Sequence, residues 1–171
     1  ELDVEEFVQA GGKTIVDATA VDYGRCVEDV AGIARRTGVQ VIGTGGFNKG
    51  FLWDARLTRR LRGIVGNFDT YGEWIEERSI DELAAFVVKE VEEGLEGTSY
   101  RAGQIKFGTG YNSISPLEEK TIRAVARAFH ETKAPVHAHT EAGTMALEQI
   151  EILRSEGVPL DCVSFGHMDR N

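Results

Sequence analysis

Short runs of apolar, β-prone residues alternate along the chain with longer segments in which apolar residues recur at helical spacing. Turn-forming residues follow each apolar run, and no hairpin signal joins one run to the next. Strands separated by helices in this way are typical of a parallel β-sheet. The pattern predicts five strands, at residues 14–20, 39–43, 104–107, 136–140 and 162–167.

The segments between these runs carry the start and stop signals of helices. Ser79 and Ser115 are each followed three residues later by a glutamate, the capping-box pattern, and Pro116 suits a first helical position. Residues 63–78 are predicted to be the least regular part of the chain. Further helices are predicted at residues 4–8, after Asp22 as the capping residue, from Trp53 to Leu61, and from Thr144 onward.

This alternation leaves two parallel folds, a doubly wound sheet and a (β/α)8 barrel. The first predicted strand is not followed by Gly-X-Gly-X-X-Gly, which argues against a dinucleotide-binding sheet. An eight-stranded barrel typically needs ~250 residues, whereas the chain has 171. We therefore predict one α/β domain over residues 1–171, a TIM-type barrel of which the chain covers roughly strands two to six, with the remaining strands outside these residues.

Composition narrows the class of protein further. The 28 acidic residues against 19 basic ones give a net charge of −9, which argues against a nucleic-acid-binding surface. No apolar run approaches the ~20 residues that span a bilayer. Cys26 and Cys162 have no CxxC spacing and come with no signal sequence, so we expect reduced thiols and a cytoplasmic protein.

Three predicted strands end in side chains that can bind a metal or act as a base: Lys106, His137 or His139, and His167. In a parallel sheet such residues emerge together at the carboxyl ends of the strands, where α/β folds place their active sites. Lys106, inside an apolar strand, suits either a Schiff-base lysine or a metal-bridging carbamate. His137, which alternates with His139, is expected to face the opposite way and to pack.

Six motifs, in order over residues 12–171, resemble the phosphotriesterase family of the amidohydrolase superfamily. They are Thr14-Ile-Val-Asp-Ala-Thr19, Asp22-Tyr-Gly-Arg25, Gly43-Thr-Gly-Gly46, Ala102-Gly-Gln-Ile-Lys106, Pro135-Val-His-Ala-His-Thr140 and Gly166-His-Met-Asp169. The resemblance implies a metal-dependent hydrolase with two divalent metal ions, zinc first and otherwise cobalt, nickel or manganese. A metal-bridging hydroxide would attack the substrate.

The same resemblance implies roles for individual residues. Lys106 would carry a carbamate formed from CO2 and bridge the two metals, and His139 and His167 would be metal ligands. Asp169, two residues past His167, would orient a ligand or relay a proton. The family's His-X-His on the first barrel strand and its Asp on the eighth do not lie within these residues.

The substrate is predicted from the loops. Phe47 would form a pocket wall, Lys49 would bind an anionic group, and Tyr111 would line the loop after the strand that holds Lys106. Residues 108–112 and 166–171 resemble the branch of the family that opens lactones, including phosphorylated sugar lactones. The expected partner is a small molecule rather than a nucleic acid or a membrane, and a homodimer remains open.

Other functions remain compatible with these residues. The same site suits a phosphotriesterase or a carboxylesterase. From other classes, a Schiff-base aldolase built on Lys106 and a catalytically silent homologue kept for binding are the alternatives. Metal analysis separates the hydrolase from the aldolase, because an aldolase needs no metal and its substrate adduct is trapped by borohydride.

Overall fold

A computed structural model describes residues 1–170, in which short parallel strands alternate with helices. The helices are α1 (Leu2–Gln9), α2 (Val27–Thr37), α3 (Arg59–Val65), α4 (Tyr71–Glu77), α5 (Ile80–Glu92), α6 (Pro116–Thr132) and α7 (Ala146–Ser155). The strands are β1 (Thr14–Val16), β2 (Gln40–Ile42), β3 (Thr44–Gly46), β4 (Gln104–Gly108), β5 (Val136–His139) and β6 (Val163–Gly166).

The strands pair in sequence order. β1 pairs with β2, and β3, β4, β5 and β6 form a second sheet in that order. Every pairing among these strands is parallel, which confirms the predicted arrangement of strands. The carboxyl ends of β3 to β6 therefore lie along one edge, and the loops that follow them share that side of the sheet.

The predicted strand 39–43 corresponds to β2 and is followed directly by a further strand that the sequence pattern did not indicate. Residues 44–46 form this strand, β3, which is buried throughout. The chain changes partner at Gly43, whose carbonyl oxygen accepts a hydrogen bond of 2.9 Å from the Gly103 amide. A Cβ at Gly45 would lie 3.1 Å from the Glu90 carboxylate, so glycine at this position lets β3 lie close against α5.

Both predicted capping boxes are confirmed. The Ser79 hydroxyl accepts a hydrogen bond from the Glu82 amide, and the Glu82 carboxylate accepts one from the Ser79 amide. Ser115 and Glu118 make the same reciprocal pair at the start of α6, with Pro116 as its first residue. These local side-chain contacts satisfy amide groups that the first helical turn leaves free.

Two predicted helix starts were wrong. α2 begins at Val27 rather than after Asp22, because the Asp22 carboxylate points into the interior and accepts hydrogen bonds from another loop instead of capping a helix. α7 begins at Ala146 rather than at Thr144, because Met145 has a left-handed backbone conformation with a φ of 63°. Both positions carry residues that suit caps, yet tertiary contacts and backbone geometry determine their structure.

The segment between β3 and α5 also differs from its prediction. Trp53 and Leu57 are buried, but Trp53 lies in a turn and Leu57 in an irregular segment, and the helix begins only at Arg59 with Thr58 as its cap. Residues 63–78, predicted to be irregular, contain α4, which starts with a capping box between Thr70 and Glu73. The apolar residues between β3 and α5 are distributed over loops and two short helices, so their spacing does not follow a single helix.

The core lies between the second sheet and helices α4 to α6. Along β5, Val136 and Ala138 are buried in this core, and the alternating residues His137 and His139 face the other side of the strand. Within residues 1–170, no helix is long and apolar enough to cross a membrane. Large side chains without exposed surface include Phe107, Ile75, Leu83, Ile105, Ile122 and Leu153.

Candidate metal centre

The predicted chemical residues meet at the carboxyl ends of β4, β5 and β6. Parallel register places Gly108 beside His139, and His139 beside Gly166, which directly precedes His167. Lys106 lies within β4, two residues before its end. The structure therefore brings the three predicted ligand positions to one edge of the sheet.

Lys106 is buried, and its amine reaches across to the segment after β1. Its Nζ donates a hydrogen bond of 2.7 Å to the carbonyl oxygen of Ala18. Burial lowers the pKa of the Lys106 amine because it penalises the charged form, while the carboxylates of Asp22 and Asp17 oppose this change. An amine with a lowered pKa spends more time neutral and is therefore a better nucleophile.

The imidazoles of His139 and His167 contact each other edge to face, with ring centroids 4.7 Å apart. Burial lowers the pKa of His139 to about 4, although a hydrogen bond that the ring donates to the Glu141 carboxylate acts to raise it. The ring is therefore neutral at pH 7 and has a free lone pair, as a metal ligand requires. His167 follows β6 directly and has a left-handed φ of 61°.

His137 does not face away from His139, so that expectation was wrong. Side chains of a strand alternate at every residue, so residues two positions apart share a face. Lys106 is the β4 neighbour of His137. Burial lowers the pKa of His137, and the charges of Lys106 and His167 lower it further. The Nδ1 atom of His137 lies 2.9 Å from the Ser164 hydroxyl, so this ring nitrogen already has a partner.

Lys49, the predicted anion-binding residue, lies at the same end of the sheet. Its amine forms an ion pair with Glu141, which lies in the turn after β5. The Glu141 carboxylate is also 3.3 Å from the Nε2 atom of His139. Glu141 was not predicted as a site residue, although its position two residues after His139 was a signal.

The other predicted substrate residues have different outcomes. Phe47 has no exposed surface, and its ring packs against Trp74 and Phe86 with centroids 6.2 Å away in each case. It is a core residue and not a pocket wall. Tyr111 is 64% exposed in the turn after β4, and Asp169 is exposed in the short 310 turn Met168–Arg170, so both are free to contact a ligand.

Asp22 is a second residue whose role the sequence did not show. Its carboxylate accepts hydrogen bonds from the Asn48 amide and from the Trp53 indole at 2.7 Å, and thereby joins the loops after β1 and β3. Burial raises the pKa of this carboxyl to about 6 despite those hydrogen bonds. The joined loops carry Ala18, which binds the Lys106 amine, and Lys49.

A cluster of three ion-paired side chains, those of Arg25, Glu90 and Glu96, contacts β3. The Arg25 guanidinium pairs with the carboxylates of Glu90 and Glu96 and donates to the carbonyl oxygen of Thr44. Glu90 also accepts a hydrogen bond of 2.8 Å from the Gly46 amide. Glu90 lies three residues past Val87 on the inward stripe of α5, a spacing that could have revealed it as buried.

The donors at this edge fit a metal only in part. Neutral imidazoles suit zinc and related divalent ions, whereas a protonated lysine cannot act as a ligand. Within residues 1–170, no group of three or more His, Cys, Asp and Glu side chains is arranged to hold a metal ion. Two imidazoles and Lys106 fit a metal site if the lysine carries a carbamate and additional ligands complete the coordination.

The chain is similar to proteins of one known family over nearly all of its residues. The family model described as the phosphotriesterase family matches residues 2–171. The crystal structure of a lactonase from Listeria monocytogenes is 69% identical, with a TM-score of 0.97 over 99% of this chain and 52% of that one. A phospho-furanose lactonase from Mycoplasmopsis synoviae is 31% identical, over 99% of this chain and 47% of the relative.

An aryldialkylphosphatase from Saccharolobus solfataricus is 33% identical, over 97% of this chain and 48% of the relative. The chain thus spans about half the length of the curated relatives that it matches. The structural likeness confirms the predicted fold class, part of a (β/α)8 barrel, and the match to the family model covers nearly every residue. The chain belongs to the phosphotriesterase family.

Proposed function

We propose that the protein carrying this chain is a metal-dependent hydrolase that opens a lactone with an anionic group, such as a phosphorylated sugar lactone. The observation that carries this proposal is the buried amine of Lys106 at the same sheet edge as the paired imidazoles of His139 and His167. The lactonase and phospho-furanose lactonase named among its relatives support the choice of substrate.

Lys106, His139 and His167 would hold two divalent metal ions, most simply zinc, together with ligands from outside these residues. Such a pair, when bound, polarises a carbonyl or phosphoryl oxygen and supplies a nucleophilic water at neutral pH. The chain contributes the ligands in a fixed arrangement. The neutral imidazole of His139 offers its lone pair without first losing a proton.

The structure supports a carbamate on Lys106. The neutral form of the amine would add through Nζ to the carbon of CO2: the N–C bond forms, one C=O π bond opens and leaves its electron pair on oxygen, and one N–H bond breaks as its proton leaves to solvent. The carbamate nitrogen keeps one N–H group, which can go on donating to the carbonyl oxygen of Ala18 as Nζ does now. Burial of Lys106 favours this reaction because it lowers the pKa of the amine.

The substrate's anionic group would bind Lys49, whose amine lies near His139 through their shared contact with Glu141. Tyr111 would contact the substrate from the exposed turn after β4. Asp169, in the turn after β6, would orient a ligand or relay a proton. Phosphotriester hydrolysis is the second candidate, because the aryldialkylphosphatase is also a relative. A buried amine with a lowered pKa also suits Schiff-base chemistry, so the test must distinguish these reactions.

The test compares substrates and metal states of the full-length protein. We expect hydrolysis of a phosphorylated sugar lactone to exceed hydrolysis of its neutral analogue and of an aryl phosphotriester. Activity should disappear after chelation and return when zinc and bicarbonate are added. Faster phosphotriester turnover would favour the second candidate. Full activity of the chelated protein, or a borohydride-trapped adduct on Lys106, would contradict metal-dependent hydrolysis, and lack of all activity would favour a silent homologue.

A further inference from the structure

Lys49 and Glu141 connect two loops at the candidate site, although they are 92 residues apart in the sequence. Lys49 lies in the loop after β3, and Glu141 lies in the turn between β5 and α7. Their side chains are 19% and 33% exposed. The pair is therefore partly shielded, and an anion from solvent can still reach it.

The backbone of Lys49 lies close against the ends of β4 and β5. A Cβ at Gly108 would lie 2.9 Å from the Lys49 amide nitrogen and 3.1 Å from the Cβ of His139. Because Gly108 has no side chain, the loop after β3 can lie directly against the ends of β4 and β5. The Lys49 amine also lies 4.9 Å from the centroid of the Phe51 ring, a cation–π contact on a second side.

One oxygen of Glu141 makes two contacts. Oε2 pairs with the Lys49 amine, and the same atom lies 3.3 Å from Nε2 of His139. The carboxylate thus lies between the only cation it pairs with among the described residues and a candidate metal ligand. An anionic group placed between the Lys49 amine and the His139 ring would occupy the same position.

We propose that Glu141 is a specificity-determining residue whose carboxylate occupies the position on Lys49 that the anionic group of a substrate takes, so that the substrate must displace it. This inference rests on the proposed function, because it assigns Lys49 to an anionic lactone. A neutral lactone leaves the ion pair intact. Glu141 therefore weakens the binding of anionic substrates and limits the preference for them.

The experiment replaces Glu141 in the full-length protein and measures two quantities. The first is the ratio of the KM of a neutral lactone to the KM of its phosphorylated form. The second is the dissociation constant of inorganic phosphate, measured by calorimetry without turnover. Because ion pairs exposed to this extent are weak, we expect Glu141→Gln to raise the KM ratio and to tighten phosphate binding by about two- to fivefold. Lys49→Ala should lower the ratio and weaken phosphate binding.

Glu148→Gln is the matched control, because Glu148 is exposed on α7 and the substitution changes the charge equally. It should leave both quantities within about 1.5-fold of the wild type, a change below the weakest expected ion-pair effect. Metal content of each variant, measured by elemental analysis, shows whether His139 still binds. Glu141→Ala removes the same carboxylate and replaces Glu141→Gln if that variant does not fold.

Two results would overturn the inference. An unchanged KM ratio and unchanged phosphate affinity in Glu141→Gln would show that the carboxylate does not compete with anions. Weaker phosphate binding would show that Glu141 instead holds Lys49 in its working position. If the wild-type protein hydrolyses neither lactone, the proposed function fails, and the phosphate measurement alone still decides whether Glu141 competes for Lys49.

Discussion

Replacement of Asp22 by asparagine should change how the stability of the protein depends on pH. Asp22 is buried, and its carboxylate accepts hydrogen bonds from Asn48 and Trp53. An asparagine of nearly the same shape keeps one oxygen that can accept from these donors, but it cannot ionise. The substitution therefore isolates the cost of a buried negative charge.

The magnitude follows from the pKa. Burial raises the pKa of Asp22 from its ordinary value of 3.8 to about 6, and at about 1.4 kcal/mol for each pH unit this difference corresponds to roughly 3 kcal/mol. Because the folded state holds this proton more tightly, the contribution to stability is fully present below pH 3.8 and is lost as pH rises through about 6. About 2 kcal/mol of it should be lost between about pH 4.5 and about pH 7.5.

The assay is urea unfolding of the metal-free full-length protein at these two pH values, for the wild type and Asp22→Asn. The wild type should lose about 2 kcal/mol more than the variant on going to the higher pH. Asp54→Asn, an exposed position beside Trp53, is the control and should behave as the wild type does. Equal losses in the wild type and Asp22→Asn would refute the conclusion that burial penalises the Asp22 charge.

Two other predictions concern the metal ligands and the backbone of the site. His139→Ala and His167→Ala should each lower metal content in elemental analysis, whereas His137→Ala should retain it because one nitrogen of that ring already pairs with a hydroxyl; full metal in the first two would exclude them as ligands. Gly46→Ala should destabilise the protein by about 2 kcal/mol or more, because Gly46 has a φ of 90° and a Cβ there would lie 2.3 Å from a carbonyl oxygen of β4. At Gly63 on α3, no atom lies within 4 Å of the position that a Cβ would take. Gly63→Ala should therefore leave the free energy of unfolding unchanged or raise it by up to about 1 kcal/mol. Similar losses in both variants would contradict this reasoning.

Local patterns predicted much of the fold because they act over a few residues. The capping boxes at Ser79 and Ser115 need only a side chain and an amide three residues away, and both formed as expected. The placement of Lys106, His139 and His167 at one edge followed from parallel strand order alone. No long-range contact had to be known for either result.

Other features depend on contacts that the sequence does not show. The direction of Phe47 depends on the left-handed conformation of Gly46, which turns the chain after β3. Asp22 was predicted to cap a helix because its residue type suits that position, yet its carboxylate binds a tryptophan 31 residues away. Glu141 also contacts the nearby His139, but its ion pair with Lys49 depends on a distant loop that the sequence does not show.

The prediction for His137 failed for a different reason. Successive residues of a strand face opposite sides, but His137 and His139 are two positions apart and therefore share a face. The sequence contained enough information to place His137 on the side of the candidate site. Its pairing with Ser164, however, depends on the register between β5 and β6 and could not be read from the chain.

The proposed metal-bridging carbamate on Lys106 is tested most directly by the metal stoichiometry of full-length Lys106→Ala. In this variant, the two ligand oxygens and the negative charge that a carbamate would place between two dications would be missing, and the repulsion between the dications would increase. Lys120→Ala is the control, since the amine of Lys120 also donates to backbone carbonyls, but from α6.

We predict that Lys106→Ala loses at least one metal ion per chain together with lactone hydrolysis, and that a short carboxylic acid with added zinc restores part of both. Lys120→Ala should keep the metal content and the activity of the wild type. Full metal occupancy of Lys106→Ala with abolished activity would contradict a metal-bridging carbamate on Lys106 and would favour covalent catalysis by the amine.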